Sequence, residues 1–399
     1  MDRLVTLPEG RLLGTVSEGV AVWKGVPFAQ PPVGELRFAA PRPVLPWDGI
    51  RDATDVGPRC PQDPLVCDSV FYQKEFRYET AEPMDEDCLY LNIWAPADAK
   101  ACPVAVWIHG GAFDHGSGAE VEFDGTAFAR KGIVLVSVNY RLGILGFFCH
   151  PELTARDGRS GNYGLLDQQT ALRWVREHIE AFGGDPRNVT VFGQSAGGMS
   201  VQCLLCSPLA EGMADRAIIQ SARGYGSGLL RFPSLRDQER SFASYLKKLG
   251  IGLEDVLDMT WQAVYELGQG FLEDAHANGQ PGLRFLPVID GYVLPCSTDE
   301  AVDGGRLARI PCMIGCTKDD IMTTPENAAH PELQPVYRAS GDWCLRLDAL
   351  GVPAYDYYFT RDLPGDGAGA FHSSELWYVF GTIDACWRPM TAEDRALSA

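Results

Sequence analysis

The chain is short of positive charge. Across 399 residues, 34 lysines and arginines face 53 aspartates and glutamates, a net charge of −19 with histidine neutral. An acidic surface of this strength repels phosphate backbones and anionic lipid, so neither nucleic acid nor a membrane is expected as a partner. Long apolar runs are missing too: no stretch approaches the roughly 20 residues needed to cross a bilayer. Met1-Asp2-Arg3-Leu4-Val5 does not lead a charged segment into an apolar one, so no secretory leader is read and a cytoplasmic location is expected. The 12 cysteines lack metal-type spacing, and without export they are expected to be reduced thiols. Cys203-Leu204-Leu205-Cys206 is a CxxC by letter, but it falls where a core helix is expected, and core packing is its plainer reading. Internal repeats and low-complexity tracts are absent from the sequence.

What is there is a large apolar inventory. Hydrophobic residues make up 46% of the chain, enough for one large α/β domain or two smaller ones. Buried strands are predicted at Val104 to Ile108, Ile133 to Val138, Val189 to Phe192, Ala217 to Gln220, Cys312 to Gly315 and Tyr355 to Phe359. Between the second and third, Leu172, Val175, Ile179 and Phe182 recur at helical spacing, and Gly183-Gly184-Asp185-Pro186 ends the helix. Strands alternating with helices imply a mostly parallel sheet covered on both faces. Thr15 to Trp23 reads as short antiparallel strands and Pro27 to Pro46 as a wrapping loop. Residues 225–300 are richer in charge and read as a helical cap over the sheet.

Gly193-Gln194-Ser195-Ala196-Gly197 carries the chemistry. It follows the strand Val189 to Phe192 and precedes an apolar stretch suited to a helix. Strand, sharp turn and helix turn G-x-S-x-G into a nucleophile elbow, with glycines where any Cβ would strike a neighbouring element. The serine is lifted from the sheet, and the helix N-terminus sits under the oxyanion that attack would create. Upstream, a strand runs into His109-Gly110-Gly111-Ala112-Phe113, whose small residues suit backbone N–H donors turned towards a developing negative charge.

A base and an acid are still needed. Of seven histidines, His109 belongs to the oxyanion loop and His178 to a helix. His115, His150, His276 and His330 lie in loops or polar stretches. The hydrolase order of nucleophile, acid and histidine selects His372, with His330 second. For the acid, the predicted strand Cys312 to Gly315 leads into Cys316-Thr317-Lys318-Asp319-Asp320. Either aspartate is a candidate, beside the plain reading of a solvated loop charge.

Longer motifs now accumulate: Gly25-Val26-Pro27-Phe28-Ala29-Gln30-Pro31-Pro32-Val33-Gly34, Leu36-Arg37-Phe38, Glu86-Asp87-Cys88-Leu89-Tyr90-Leu91-Asn92-Ile93, Gly161-Asn162-Tyr163-Gly164-Leu165-Leu166-Asp167-Gln168, and Phe371-His372-Ser373-Ser374-Glu375-Leu376. In these the chain resembles the type B carboxylesterases, the α/β-hydrolase family that includes cholinesterases and bacterial p-nitrobenzyl-type esterases. The resemblance covers nearly the whole chain. It implies a single α/β-hydrolase domain over residues 1–399, with an antiparallel N-terminal edge and a reduced helical cap at about 225–300. It implies a serine carboxylic-ester hydrolase that works through an acyl-enzyme on small or medium esters, without metal or cofactor. Position by position, Ser195 matches the nucleophile, His372 the base, Asp320 the acid, and the amides of Gly111, Ala112 and Ala196 the oxyanion donors. In secreted relatives a cysteine at the Cys88 position pairs with one near Cys60. The two are therefore expected to be close here but reduced, with Cys67 as a competitor.

Four departures stand out. Gln194 occupies a position where glutamate is common. Ala112 replaces the third glycine of the oxyanion loop, which is tolerable if its φ is negative. Asp320 is shorter than the usual glutamate, and Ile321 replaces a glycine. Only 52 positions separate Asp320 from His372, fewer than in the family, and Arg395 to Ala399 looks like the opening of a longer C-terminal helix. An apolar face of the sheet is expected to be exposed as a result. The rival reading is an esterase-like protein that binds without turnover, or a truncated fragment. The loop Phe71 to Tyr78 is expected to rim the entrance.

Overall fold

The computed structural model describes residues 2–63, 74–75, 83–229, 231–280 and 282–399. Among them, eleven strands form one sheet: β1 (Asp2–Thr6), β2 (Arg11–Ser17), β3 (Val20–Pro27), β4 (Ile50–Asp52), β5 (Tyr90–Pro96), β6 (Cys102–Ile108), β7 (Val134–Val138), β8 (Gly184–Gln194), β9 (Arg216–Gln220), β10 (Cys312–Thr317) and β11 (Ala354–Phe359). The spatial order is β1-β2-β3-β5-β7-β6-β8-β9-β10-β11, with β4 on β2. Along this path the pairs from β1/β2 to β5/β7 are antiparallel, while β4 runs parallel to β2. From β7 through β6, β8, β9 and β10 to β11 the pairing is parallel.

Each strand expected from β-branched, apolar runs is present, with ends that are unchanged or moved by at most five residues. The largest shift is in β8, which begins at Gly184 because Cys102 pairs with that residue before a register shift admits Val104 opposite Val189. The helix Tyr163–His178 tightens into a 3₁₀ turn, Ile179–Phe182, and stops at Gly183 in the left-handed region.

The two sheet faces bury different cores. On one, Trp107 lies 4.8 Å from Phe192 and 5.0 Å from Phe380, ring centre to ring centre. On the other, the helix Ala196–Cys206 is buried along its whole length. Cys203 and Cys206 sit inside that helix, and burial pushes both thiols well up, which fits core packing. Residues 225–300 form the helices Leu235–Leu249, Leu253–Asp258 and Trp261–Ala277. Phe242 of the first meets Phe148 edge-on at 5.0 Å and stacks on Phe271 at 4.1 Å. Each fully buried side chain of this size contributes about 1.5–3 kcal/mol.

The family-like motifs act as fasteners. Arg37 grips both oxygens of Glu86 at 2.6 and 2.7 Å and reaches the Met259 carbonyl at 2.6 Å, tying the wrapping loop to the helical segment. Arg141 does the same to Asp167 at 2.8 and 2.7 Å in a fully buried setting. Asn162, with φ +55°, exchanges two 2.8 Å hydrogen bonds with the backbone of Val288.

On the face expected to be exposed, Phe192, Ile218, Met313, Phe359, Val379 and Leu397 surround a recess of about 460 Å³. Met313 and Leu397 are 41% and 56% exposed. The loop Phe71 to Tyr78 lies outside the described residues except for Lys74 and Glu75, the latter buried and paired with Arg388 at 2.9 Å. Cys67 lies outside them as well. No helix of the described residues is long and apolar enough to cross a membrane.

Candidate active site

β8 ends at Gln194, and the helix Ala196–Cys206 begins one residue later, leaving Ser195 to make the whole turn. Its backbone sits at φ +55°, ψ −123°. For a non-glycine residue this costs about 1–3 kcal/mol and persists only where the surroundings enforce it. The crowding is measurable. A Cβ on Gly197 would lie 2.0 Å from the Ile108 carbonyl oxygen, so only glycine lets the helix start against β6. The Ser195 N–H donates to the Gln220 carbonyl at 2.9 Å, locking the elbow to β9.

The loop after β6 arrives from the other side. A Cβ on Gly110 would stand 3.2 Å from the Ser195 Cβ, which shows how closely that loop passes. Gly111, Ala112 and Phe113 follow at φ +96°, +57° and +63°. The condition placed on Ala112, a negative φ, is not met: it adopts the left-handed conformation that glycine tolerates best. An alanine there is strained by about 1–2 kcal/mol. Ala196 is the first residue of its helix, so its N–H has no intrahelical acceptor.

β10 and β11 end side by side, and the loops beyond them bring Asp320 to His372. His372 Nδ1 lies 2.5 Å from Asp320 Oδ1. The carboxylate is fully buried and also accepts the N–H groups of Thr317 at 3.1 Å and Ile321 at 2.7 Å. Burial alone would raise the Asp320 pKa, but the charge and hydrogen bond of His372 and the backbone donors outweigh it and hold it low. In His372 burial opposes the cation, while the Asp320 charge and hydrogen bond win, so its pKa stands above the usual 6.5. Asp319 is turned away and accepts the Ala370 N–H at 2.8 Å.

Three of the other six histidines are held by contacts of their own. His330 is exposed beside Glu332. His178 spans the Trp174 carbonyl and Glu9. His109 stacks on Tyr140 at 4.5 Å, and burial lowers its pKa to about 4.

Ser195, His372, Gly111 and Ala112 line one cavity of about 290 Å³, whose apolar wall includes Phe113, Met199, Leu229 and Leu283. Leu229 and Leu283 come from the segment read as the cap. Among the described residues no group of three His, Cys, Asp or Glu side chains is arranged to hold a metal.

Known proteins resemble this chain in sequence and fold. The model of the carboxylesterase family matches residues 1–336. Over 337 residues the chain is 41% identical to the para-nitrobenzyl esterase of Bacillus subtilis (strain 168), covering 83% of this chain and 66% of that protein. The chain belongs to the carboxylesterase family. The pig (Sus scrofa) liver carboxylesterase is 39% identical over 343 residues, 79% of this chain and 58% of its own. The fumonisin B1 esterase of Sphingopyxis macrogoltabida is 38% identical over 322, 80% of this chain and 56% of its own. The chain thus spans 56–66% of the length of these carboxylesterases. Two solved PNB esterase structures, one of them thermophilic, superpose with TM-scores of 0.84 and 0.86 at 32% identity. Both cover 100% of this chain, and 88% and 89% of theirs. The fold is therefore that of the α/β-hydrolases. The family-model match ends before His372, whereas the structural likeness includes it.

Three features of this carboxylesterase-family site were not assigned a role from sequence. Gln194 Nε2 donates to His372 Nε2 at 3.1 Å, so the amide engages the nitrogen that a triad turns towards its serine. Glu375 is buried, receives Gln220 Nε2 at 3.3 Å, and has its pKa pushed up to about 7 by burial and the nearby Asp320 charge. Glu120 and Glu122 line the cavity. Only the Phe371 to Leu376 motif signalled Glu375; the glutamate pair had no sequence signal of its own. Cys60 and Cys88 are buried and in hydrogen-bond contact, as the resemblance implied.

Proposed function

We propose that this chain hydrolyses carboxylic esters through an acyl-enzyme. The observation that carries the reading is the 2.5 Å contact between His372 and the buried Asp320, in the same cavity as a serine held on a strained elbow. With Nδ1–H bound by Asp320, the Nε2 lone pair of His372 is the base. The Ser195 hydroxyl attacks the ester carbonyl as His372 takes its proton. The oxyanion collects against the amides of Gly111, Ala112 and Ala196, with the helix N-terminus beneath. His372 then protonates the leaving alcohol, and water repeats the two steps to release the acid. Gln194 must yield Nε2 for this to proceed. Residues 1–399 act as one domain, with 225–300 as the cap that walls the acyl pocket. Small or medium esters fit a cavity of about 290 Å³. We place the chain in the cytoplasm, with Cys60 and Cys88 as thiols that alkylation of the unfolded chain would label.

The test is p-nitrophenyl acetate and butyrate hydrolysis by the chain and by Ser195→Ala, with circular dichroism on both. Turnover lost in the variant is expected. A folded chain without turnover would refute the enzyme reading and favour a binding protein.

A further inference from the structure

Glu122 sits in the short turn Val121–Phe123 at the edge of the cavity that holds Ser195. Only 1% of it is exposed, and among the described residues no donor reaches its Oε2. Its main chain is fixed, since the Thr382 hydroxyl donates to the Glu122 carbonyl at 3.0 Å. The neighbouring Glu120 lines the same cavity and accepts the Ser117 N–H at 2.7 Å. Burial, then the Glu120 charge and the hydrogen bond between the two carboxyls, push the Glu122 pKa well up, and Glu75 adds to the effect. Two carboxyls that share one proton still hold one negative charge. Among the described residues lining the cavity there is no lysine or arginine. Phe123 and Leu376 line the same cavity.

Oε2 is already shielded from solvent, and a neutral ester in the cavity would leave it without a donor and the charge of the pair without an offset, an unfavourable state for both. An anionic group would add repulsion. A protonated primary or secondary amine offsets the charge and supplies the missing N–H in a charge-assisted hydrogen bond. A quaternary ammonium offsets the charge but has no N–H to give. We propose that Glu122, with Glu120, forms a subsite for a primary or secondary ammonium group, so that the substrates are amine-bearing esters. This rests on the ester-hydrolase reading for the word substrate, but the subsite itself is testable without turnover.

The experiment is calorimetric titration of the full chain with hexylammonium, 1-hexanol and hexyltrimethylammonium, with p-nitrophenyl butyrate turnover measured in parallel. A charge-assisted hydrogen bond contributes about 1.5–3 kcal/mol, so hexylammonium is expected to bind roughly 10- to 100-fold more tightly than hexanol. Glu122→Gln should bring that ratio close to one. Glu120→Gln, which removes the shared charge from the more exposed partner, should lower it as well and serves if circular dichroism shows Glu122→Gln unfolded. Equal binding of hexylammonium and hexanol by the unmodified chain would overturn the proposal. So would an undiminished ratio in a folded variant, or hexyltrimethylammonium binding as tightly as hexylammonium. Ammonium selectivity without ester turnover would support the subsite and refute the hydrolase reading. Turnover without selectivity would do the reverse.

Discussion

Replacing Asp320 with asparagine isolates the interaction on which the proposed mechanism depends. The acid limb of the pH–rate profile reports the pKa of the histidine that must be neutral to act as base. In the intact chain that pKa stands above 6.5, because the Asp320 carboxylate at 2.5 Å outweighs the burial of the ring. Activity therefore rises as pH climbs through a value above 6.5. Asparagine removes the charge and leaves the burial, which favours the neutral ring. A hydrogen bond to a charged partner is worth about 1.5–3 kcal/mol. At 1.36 kcal/mol per unit, the limb should move down by about 1–2 units. The rate should fall as well, by about four orders of magnitude where the wrong tautomer is stabilised, since asparagine can donate to Nδ1 and leave the proton on Nε2. The assay is kcat/KM for p-nitrophenyl butyrate across the neutral range, with circular dichroism on each variant. Asp319→Asn is the control: its carboxylate holds the Ala370 amide, so the limb should stay in place. A limb that moves in Asp319→Asn and not in Asp320→Asn would refute the assignment of the acid.

Other perturbations test separate parts of the structure. Gln194→Glu places a carboxylate where an amide lies 3.1 Å from His372 Nε2, so the acid limb should move up by about one unit and neutral-pH activity should drop; an unchanged profile would show that the contact is not made in solution. Ala112→Gly should relieve the left-handed strain but lose some backbone entropy, leaving a net gain of up to about 1 kcal/mol in urea unfolding; a clear loss of stability would contradict the φ of +57°. Arg141→Ala strands the buried Asp167 charge and should cost about 3–5 kcal/mol by the same measurement, with a small effect refuting the buried pairing.

Much of the architecture was legible in the chain. β7 and the apolar centre of β8 are written as β-branched runs, the Ser195 elbow as glycines flanking a serine between strand and helix, and the amphipathic helix before Gly183 as apolar residues at three and four. Local sterics and burial act over a few residues, so the signal for them is local.

Other features depended on contacts that no short window contains. Asp319 and Asp320 are adjacent and alike, and which one meets a histidine 52 residues away follows from how the loops after β10 and β11 cross. The positive φ of Ala112 is imposed by the loop's path over Ser195, against the residue's own preference. The amide of Gln194 reaches His372, and the carboxyls of Glu120 and Glu122 share a cavity with Ser195, because strands distant in sequence place them together. The sequence by itself determined the family, the sheet and the residues capable of the chemistry, since each is carried by local pattern or by long motifs. Only the tertiary structure decided which of those residues touch, because contact between side chains depends on the packing of the whole sheet and its loops.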